Sequence, residues 1–300
     1  MPALLLMASL APVSCIVPSA RTLPEEGGST AYLRSFADAT ELGAYLRRGS
    51  DAGPLVAAHR GGATGGWPEN ALETFANTIN DTPALLEVDV RGTADGRLVL
   101  IHDDSLSRTT SGDGIVAART LPELRNLTLR APDGSDTPYA IPTLEEALAW
   151  ADGRAVLSLD LKDTADPAAV LEIIDRHGAG DRVIVITYDL DTYRSLYARA
   201  PDLVYAVPAS TAAEVEALFA AETDLTRVVG WGGDDSVNDT VASALHERGI
   251  RLMLGTYETV DLQDARSARI AYGSLVAGGA DIIATDRAAL AARAIRESED

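Results

Sequence analysis

Eight short aliphatic runs, at residues 55–59, 85–90, 155–161, 183–187, 204–208, 227–231, 250–254 and 281–284, recur along the chain. Amphipathic stretches at 70–79, 143–151, 167–177, 192–200, 212–220, 239–248 and 266–277 alternate with them, their apolar residues returning at helical spacing. Eight strands alternating with helices predict a closed parallel (β/α)8 barrel with its helices outside. Such a barrel uses about 250 residues as one domain, and a chain of 300 residues, 46% of them hydrophobic, is long and apolar enough to fill it. The competing arrangement is an open doubly wound sheet. No glycine-rich dinucleotide fingerprint follows any of the strands, which favours the barrel.

One segment breaks the alternation. Asp95-Gly96 is a strong turn dipeptide and is followed by Leu98-Val99-Leu100-Ile101, so residues 88–101 are expected to form a hairpin that elaborates the second strand. Residues 107–141 are rich in Gly, Pro, Thr and Asp and read as a loop excursion over the barrel mouth, too polar for a second core. The expected organisation is residues 1–20 as a signal segment, 21–54 as a polar lead-in and 55–300 as the barrel domain. Residues 1–20 are apolar and uncharged, with small residues near the end, and resemble a secretory signal without its positive start. Ser14-Cys15 faintly resembles a lipoprotein cleavage site, so the chain is expected to be exported, as a periplasmic, secreted or lipid-anchored protein. Pro12 and Pro18 interrupt the apolar run before it reaches the roughly 20 residues of a membrane span. Cys15 is the only cysteine, which rules out an intrachain disulfide.

The net charge of −20 argues against a nucleic-acid partner, since a phosphate backbone requires a basic face. The same charge attracts divalent cations. Of the 25 Lys and Arg residues only Lys162 is a lysine, although the two differ in bulk and donor geometry.

Strand side chains alternate in direction, so residues two apart share a face. In Leu86-Glu87-Val88-Asp89-Val90 the apolar set faces the helices, and Glu87 and Asp89 face the barrel interior at the end where barrel enzymes place their chemistry. By the same parity Ser158, Asp160 and Lys162 point inward from Leu157-Ser158-Leu159-Asp160-Leu161-Lys162. An inward acid cluster requires neutralisation, and oxygen-only ligands suit one Ca²⁺ or Mg²⁺ ion. The alternative is a buried salt bridge from Lys162 without a metal, although one ammonium does not balance three carboxylates.

His59-Arg60-Gly61-Gly62 closes the first strand. An imidazole, a guanidinium and glycines that let a ligand approach the backbone make a phosphate grip, with a satisfied core histidine as the plainer reading. His102-Asp103 offers a second imidazole beside a carboxylate able to orient it. His177, at a helix C-terminus, and His246, on a surface helix, read as structural. No nucleophile elbow is present.

Taken in order, His59-Arg60-Gly61-Gly62, Pro68-Glu69-Asn70, Glu87-Val88-Asp89-Val90, Asp95-Gly96, His102-Asp103, Arg108-Thr109-Thr110, Asp160-Leu161-Lys162 and Gly279-Ala280-Asp281 with Thr285-Asp286 resemble the glycerophosphodiester phosphodiesterase family. The resemblance spans roughly residues 55–295. It implies a barrel that converts glycerophosphodiesters, small-molecule substrates, to glycerol 3-phosphate and an alcohol with Ca²⁺ or Mg²⁺. By motif match His59 and His102 are the acid–base pair, Glu87, Asp89 and Asp160 hold the metal, and Arg60 and Lys162 grip the phosphate, with His102 as a metal ligand in the alternative. Three positions depart from the family pattern. Ala71 stands for a threonine, a change expected to affect helix capping alone. Asp160 stands for a glutamate, as in the sphingomyelinase D-like relatives that release a cyclic phosphate, so a lyase outcome is the second reading. Met253-Leu254-Gly255-Thr256 lacks the usual Trp-Thr, which removes an aromatic wall that Trp231 is placed to restore. A phosphate-ligand binding protein without turnover is the third reading.

Overall fold

A computed structural model describes residues 32, 34–234 and 236–299. Its parallel strands are β1 (Leu55–Ala58), β2 (Leu85–Gly92), β4 (Leu157–Leu161), β5 (Val183–Ile186), β6 (Val204–Pro208), β7 (Val228–Asp234), β8 (Arg251–Gly255) and β9 (Ile282–Thr285). β1 pairs with both β9 and β2, which closes the sheet into the expected barrel. β3 (Leu98–Leu100) folds back antiparallel on the end of β2, with Val90 opposite Leu100 and Gly92 opposite Leu98, so the hairpin forms around Asp95-Gly96.

The outer layer is α2 (Leu72–Asp81), α4 (Leu144–Ala151), α5 (Pro167–Arg176), α6 (Leu190–Arg199), α7 (Ala212–Phe219), α8 (Asp239–Glu247), α9 (Ala265–Ala277) and α10 (Ala288–Glu299). Helix starts are written locally: Asp166, Asp189, Asn238 and Asp264 accept the first free amides, and Thr143–Glu146 and Thr211–Glu214 form capping boxes. Ala71 is the N-cap of α2 and makes no side-chain cap bond, in keeping with the lost threonine. α10 lies beyond the expected helices.

Parity along the strands sorts the interior into two storeys. Leu86, Val88, Val90, Leu157 and Leu159 face the helices. Inside, the lower storey is apolar: Ala57, Leu85, Val156, Ile184, Val204, Val229, Met253 and Ile282 pack together. Polar side chains occupy the storey above, towards the strand C-termini.

Two expectations need correction. The lead-in is not merely polar: it contains α1 (Ala39–Tyr45), which Asp38 caps and which drives Leu42 and Leu46 into the lower storey as a plug. Arg251 ties this segment down through Arg47 O, Gly53 O and Ser50 Oγ, so the folded barrel unit begins before residue 55. The excursion does build a small core. Val99, Ile101, Leu106, Val116, Leu124, Leu129 and Ile141 bury one another beside Ala71, with a short helix α3 (Leu121–Leu124). Enough aliphatic residues are scattered among its turn residues to cluster once the hairpin provides a floor. Residues 1–20 lie outside the described residues.

Truncating Leu42 empties a fully buried site. Leu42→Ala is expected to lower the unfolding free energy by about 2–5 kcal/mol, read by urea denaturation. A loss of less than about 0.5 kcal/mol, the range of surface substitutions, would make the plug peripheral.

Candidate active site

β1 ends in a tight turn that shapes everything above it. Arg60 (φ 51°) and Asn70 (φ 59°) hold the left-handed backbone conformation that non-glycine residues rarely adopt. The turn sends the Arg60 N–H to Glu87 Oε2 at 2.7 Å, and the Arg60 carbonyl accepts the Asn70 N–H at 2.9 Å. Asn70 then brackets Asp89, donating from Nδ2 to Oδ2 at 2.7 Å and accepting the Asp89 N–H at 2.9 Å. Gly61 and Gly62 have positive φ, and a Cβ on them would lie 2.2 Å from Phe75 and 2.5 Å from Thr78. These glycines serve close packing of the turn on α2, a different reason from the ligand approach their motif suggests.

Register places Asp89 beside Asp160 and Glu87 beside Ser158 on neighbouring strands. Ligand oxygens of Glu87, Asp89 and Asp160, all buried, lie within 4.8 Å of one another. Lys162 Nζ lies 2.8 Å from Asp89 Oδ1 and 2.5 Å from Asp160 Oδ2. Tyr188 Oη donates to Asp160 Oδ2 at 2.7 Å, and Arg60 Nε is 4.0 Å from Asp89. The salt bridge foreseen as the alternative to a metal is therefore present, yet it does not complete the site. Asp160 Oδ1 accepts no hydrogen bond, and Asp89 Oδ1 faces Lys162 without an aligned one. Burial, then the neighbouring charge of Asp89, pushes the Glu87 carboxyl far above the usual carboxylate range. Asp89 moves the other way: burial opposes ionisation, but the nearby Lys162 ammonium and the Asn70 hydrogen bond outweigh it. Three converging carboxylates, two of them with an oxygen that lacks a hydrogen bond, fit a hard divalent cation.

Both histidines are anchored at Nδ1, which leaves Nε2 for proton transfer. His59 Nδ1 pairs with Asp286 Oδ1 at 2.7 Å, and its ring stacks on Tyr257 with centroids 4.4 Å apart. Burial lowers its pKa, but the Asp286 hydrogen bond and the charges of Glu87 and Asp286 more than reverse this, and the net shift is upward. His102 Nδ1 pairs with Asp103 Oδ1 at 2.8 Å. Arg108 grips Asp103 through Nε at 2.6 Å and Nη2 at 2.8 Å, holding that carboxyl well below its ordinary range. The same guanidinium reaches Glu69 through Nη1 and Nη2, each at 2.8 Å, and Glu69 in turn holds Arg60 Nη1 at 3.1 Å.

These groups surround a cleft of about 510 Å³ at the strand C-termini. His59, Arg60, Glu87, His102, Asp160 and Lys162 line it, and Asp89, 1% exposed, adjoins it with its carboxylate within 4.8 Å of those of Glu87 and Asp160. The structure thus brings all seven sequence-derived site residues together. His246, bonded to Asp281, and His177, the C-cap of α5, stay outside the cleft. Glu69, Asn70, Arg108 and Asp286 sit in the quoted motifs, but their partners were not readable there. Tyr188 and Tyr257 gave no signal beyond standing just after a strand. The late strand itself lacks the aromatic, as expected; Trp231 on β7 lines the cleft, and Tyr257 in the loop after β8, which sequence reasoning missed, adds a second ring.

The model of the glycerophosphoryl diester phosphodiesterase family matches residues 59–290, from His59 to the start of α10. The chain belongs to that family. A crystal structure of a glycerophosphoryl diester phosphodiesterase from Parabacteroides distasonis is 34% identical, with a TM-score of 0.84 over 90% of this chain and 95% of that one. The Bacillus subtilis protein YqiK is 33% identical over 192 residues, 61% of this chain and 76% of that one. An Oleispira antarctica phosphodiesterase, solved with the product sn-glycerol-3-phosphate, shares the fold at 24% identity and a TM-score of 0.63, over 81% of this chain and 97% of that one.

The anchoring of His59 in this phosphodiesterase-family barrel has a titration signature. Asp286→Asn removes the bond and charge that raise the His59 pKa and leaves its burial, so the pKa is expected to fall, read by ¹H–¹⁵N NMR of the imidazole in metal-free protein. In the parent protein the stabilisation from protonated His59 is complete below the ordinary value of 6.5 and is lost as pH rises through the higher folded value. An unchanged or higher pKa in the variant would contradict this account.

Proposed function

We propose that this chain hydrolyses glycerophosphodiesters to glycerol 3-phosphate and an alcohol, with one Ca²⁺ or Mg²⁺ ion held by Glu87, Asp89 and Asp160. The observation that carries the reading is the convergence on one cleft of two imidazoles, each anchored by a carboxylate, and a buried acid trio with unsatisfied oxygens. When bound, the cation offsets charge that builds on the phosphoryl oxygens. Arg60 and Lys162 add fixed positive charge at the cleft wall, where an anionic diester must enter a strongly acidic protein. One histidine removes the proton of the attacking hydroxyl, and the other protonates the leaving oxygen. Of the aliphatic hydroxyls lining the cleft, Ser158 Oγ has no hydrogen-bond partner and Thr187 Oγ1 donates to the Ala206 carbonyl, so neither is paired with a base. The attacker in this reading is the substrate's own glycerol hydroxyl, tethered beside phosphorus, or water. The family resemblance favours the hydroxyl, through a cyclic phosphate that is then opened. The Oleispira barrel, with glycerol 3-phosphate bound, is consistent with the product named here. Among the described residues no helix is long and apolar enough to cross a membrane, and we infer export from residues 1–20.

Incubating purified protein with Ca²⁺ or Mg²⁺ and a panel of glycerophosphodiesters, with products followed by ³¹P NMR, tests the proposal. Glycerol 3-phosphate is expected. Accumulating cyclic phosphate would favour the lyase reading, and binding without turnover would favour the binding-protein reading. Chelator is expected to abolish turnover, and Glu87→Gln to weaken metal binding by calorimetry, because charge count sets affinity at such sites.

His59→Ala and His102→Ala are each expected to lower kcat by roughly 10²–10⁴-fold. Turnover within about threefold of the parent enzyme, well below the usual general acid–base contribution, would remove either residue from the proton path. Lys162→Arg is expected to be damaging although it keeps the charge. A compact ammonium lies between Asp89 and Asp160, and a bulkier planar guanidinium there is expected to disturb that pairing. Parent-like kcat/KM in that variant would make the lysine incidental.

A further inference from the structure

The cleft is sorted by charge around its rim. Its basic lining residues, His59, Arg60, His102 and Lys162, all follow β1, β3 or β4. The arc from β5 to β8 contributes no basic residue among the described lining. It supplies Tyr188, Trp231 and Tyr257 together with Asp234 and Glu258.

Two local features show that this arc is built and not accidental. Trp231 and Asp234 are three apart on β7, and strict alternation would send them to opposite faces. A register irregularity between them, at Gly232-Gly233, lets both line the cleft and puts Asp234 opposite Gly255 on β8. Such a bulge re-aims a side chain. Gly255 completes the arrangement: a Cβ there would lie 2.2 Å from Asp234 Oδ1 and 2.7 Å from Tyr257 Oη, so only glycine lets that carboxylate and that ring converge. The rings are held as well. Tyr257 stacks on His59, and Tyr188, 65% exposed at the mouth, is tied through its hydroxyl to Asp160.

We propose that the β5–β8 arc is a subsite for a cationic alcohol, so that the preferred diesters are zwitterions whose leaving group carries a quaternary or primary ammonium. The inference rests on the phosphodiesterase reading above and assigns the leaving-group side of the same cleft. Aromatic faces and carboxylates attract a weakly hydrated cation, and aromatic cages are a recurring solution for quaternary ammonium. A zwitterion matches both arcs at once: its phosphate meets the basic side, and its ammonium meets the rings, Asp234 and Glu258. A leaving group with a second negative charge meets repulsion there.

The test compares glycerophosphocholine with glycerophospho-3,3-dimethylbutanol, which differ only in a charged nitrogen against a neutral carbon, on the metal-loaded full chain. The choline ester is expected to have the higher kcat/KM by about tenfold. Trp231→Leu and Glu258→Gln are each expected to bring that ratio towards one. Glu258 is exposed, so the second variant keeps its fold even if the first does not. Choline itself, titrated calorimetrically, is expected to bind the parent more tightly than either variant. A parent ratio below twofold, or a ratio that neither variant moves, overturns the subsite and leaves the phosphodiesterase reading standing. If neither diester is cleaved, it is the phosphodiesterase reading that fails, and the choline titration alone decides the subsite: weaker binding in the variants upholds it, and equal or absent binding overturns it.

Discussion

Three carboxylates inside a barrel are a liability that the surrounding structure is arranged to contain. Burying charge is costly unless it is paired and hydrogen-bonded. Each neighbour of Glu87, Asp89 and Asp160 answers part of that requirement: the Arg60 amide, the Asn70 side chain, the Lys162 ammonium and the Tyr188 hydroxyl. The unusual backbone at Arg60 and Asn70 belongs to the same account. Left-handed conformations at non-glycine residues persist only where the environment over-determines them, and here they deliver the two hydrogen-bonding groups that the acids need. What these groups leave without a hydrogen bond are Asp89 Oδ1 and Asp160 Oδ1, within an acid trio whose ligand oxygens lie within 4.8 Å of one another and could hold a cation.

The barrel axis separates stability from chemistry. Below, α1 closes an aliphatic storey with Leu42 and Leu46, and the helical layer packs on the outward strand faces. Above, the interior turns polar within a single strand step, from Leu85 to Glu87 on β2 and from Val156, just before β4, to Ser158 on it. A parallel barrel permits this because side chains at one height come from several strands and form a layer. Substitutions in one storey can therefore alter one property with limited effect on the other.

What was legible in the sequence follows from range. Period-two alternation is a local property, and it alone directs Glu87, Asp89, Asp160 and Lys162 inward. The strand–helix rhythm gave the barrel, and Asp95-Gly96 gave the hairpin. The remainder depends on segments far apart in the chain that meet in loops without periodicity. His59 and Asp286 are 227 residues apart, and Arg108 and Glu69 meet only because the excursion folds over the mouth. The bulge in β7 breaks the very alternation on which parity arguments rest. The plug helix was hidden because α1 is only 7 residues long, too short to impose a clear helical period on a polar segment.

Arg108 gives the excursion its importance. From outside the barrel, this one guanidinium holds Asp103, which orients His102, and Glu69, which orients Arg60. The eight-stranded wall closes without that contact, since no strand pairing involves it. A change at Arg108 therefore reaches His102 and Arg60 together, through two carboxylates and without touching a single strand pairing.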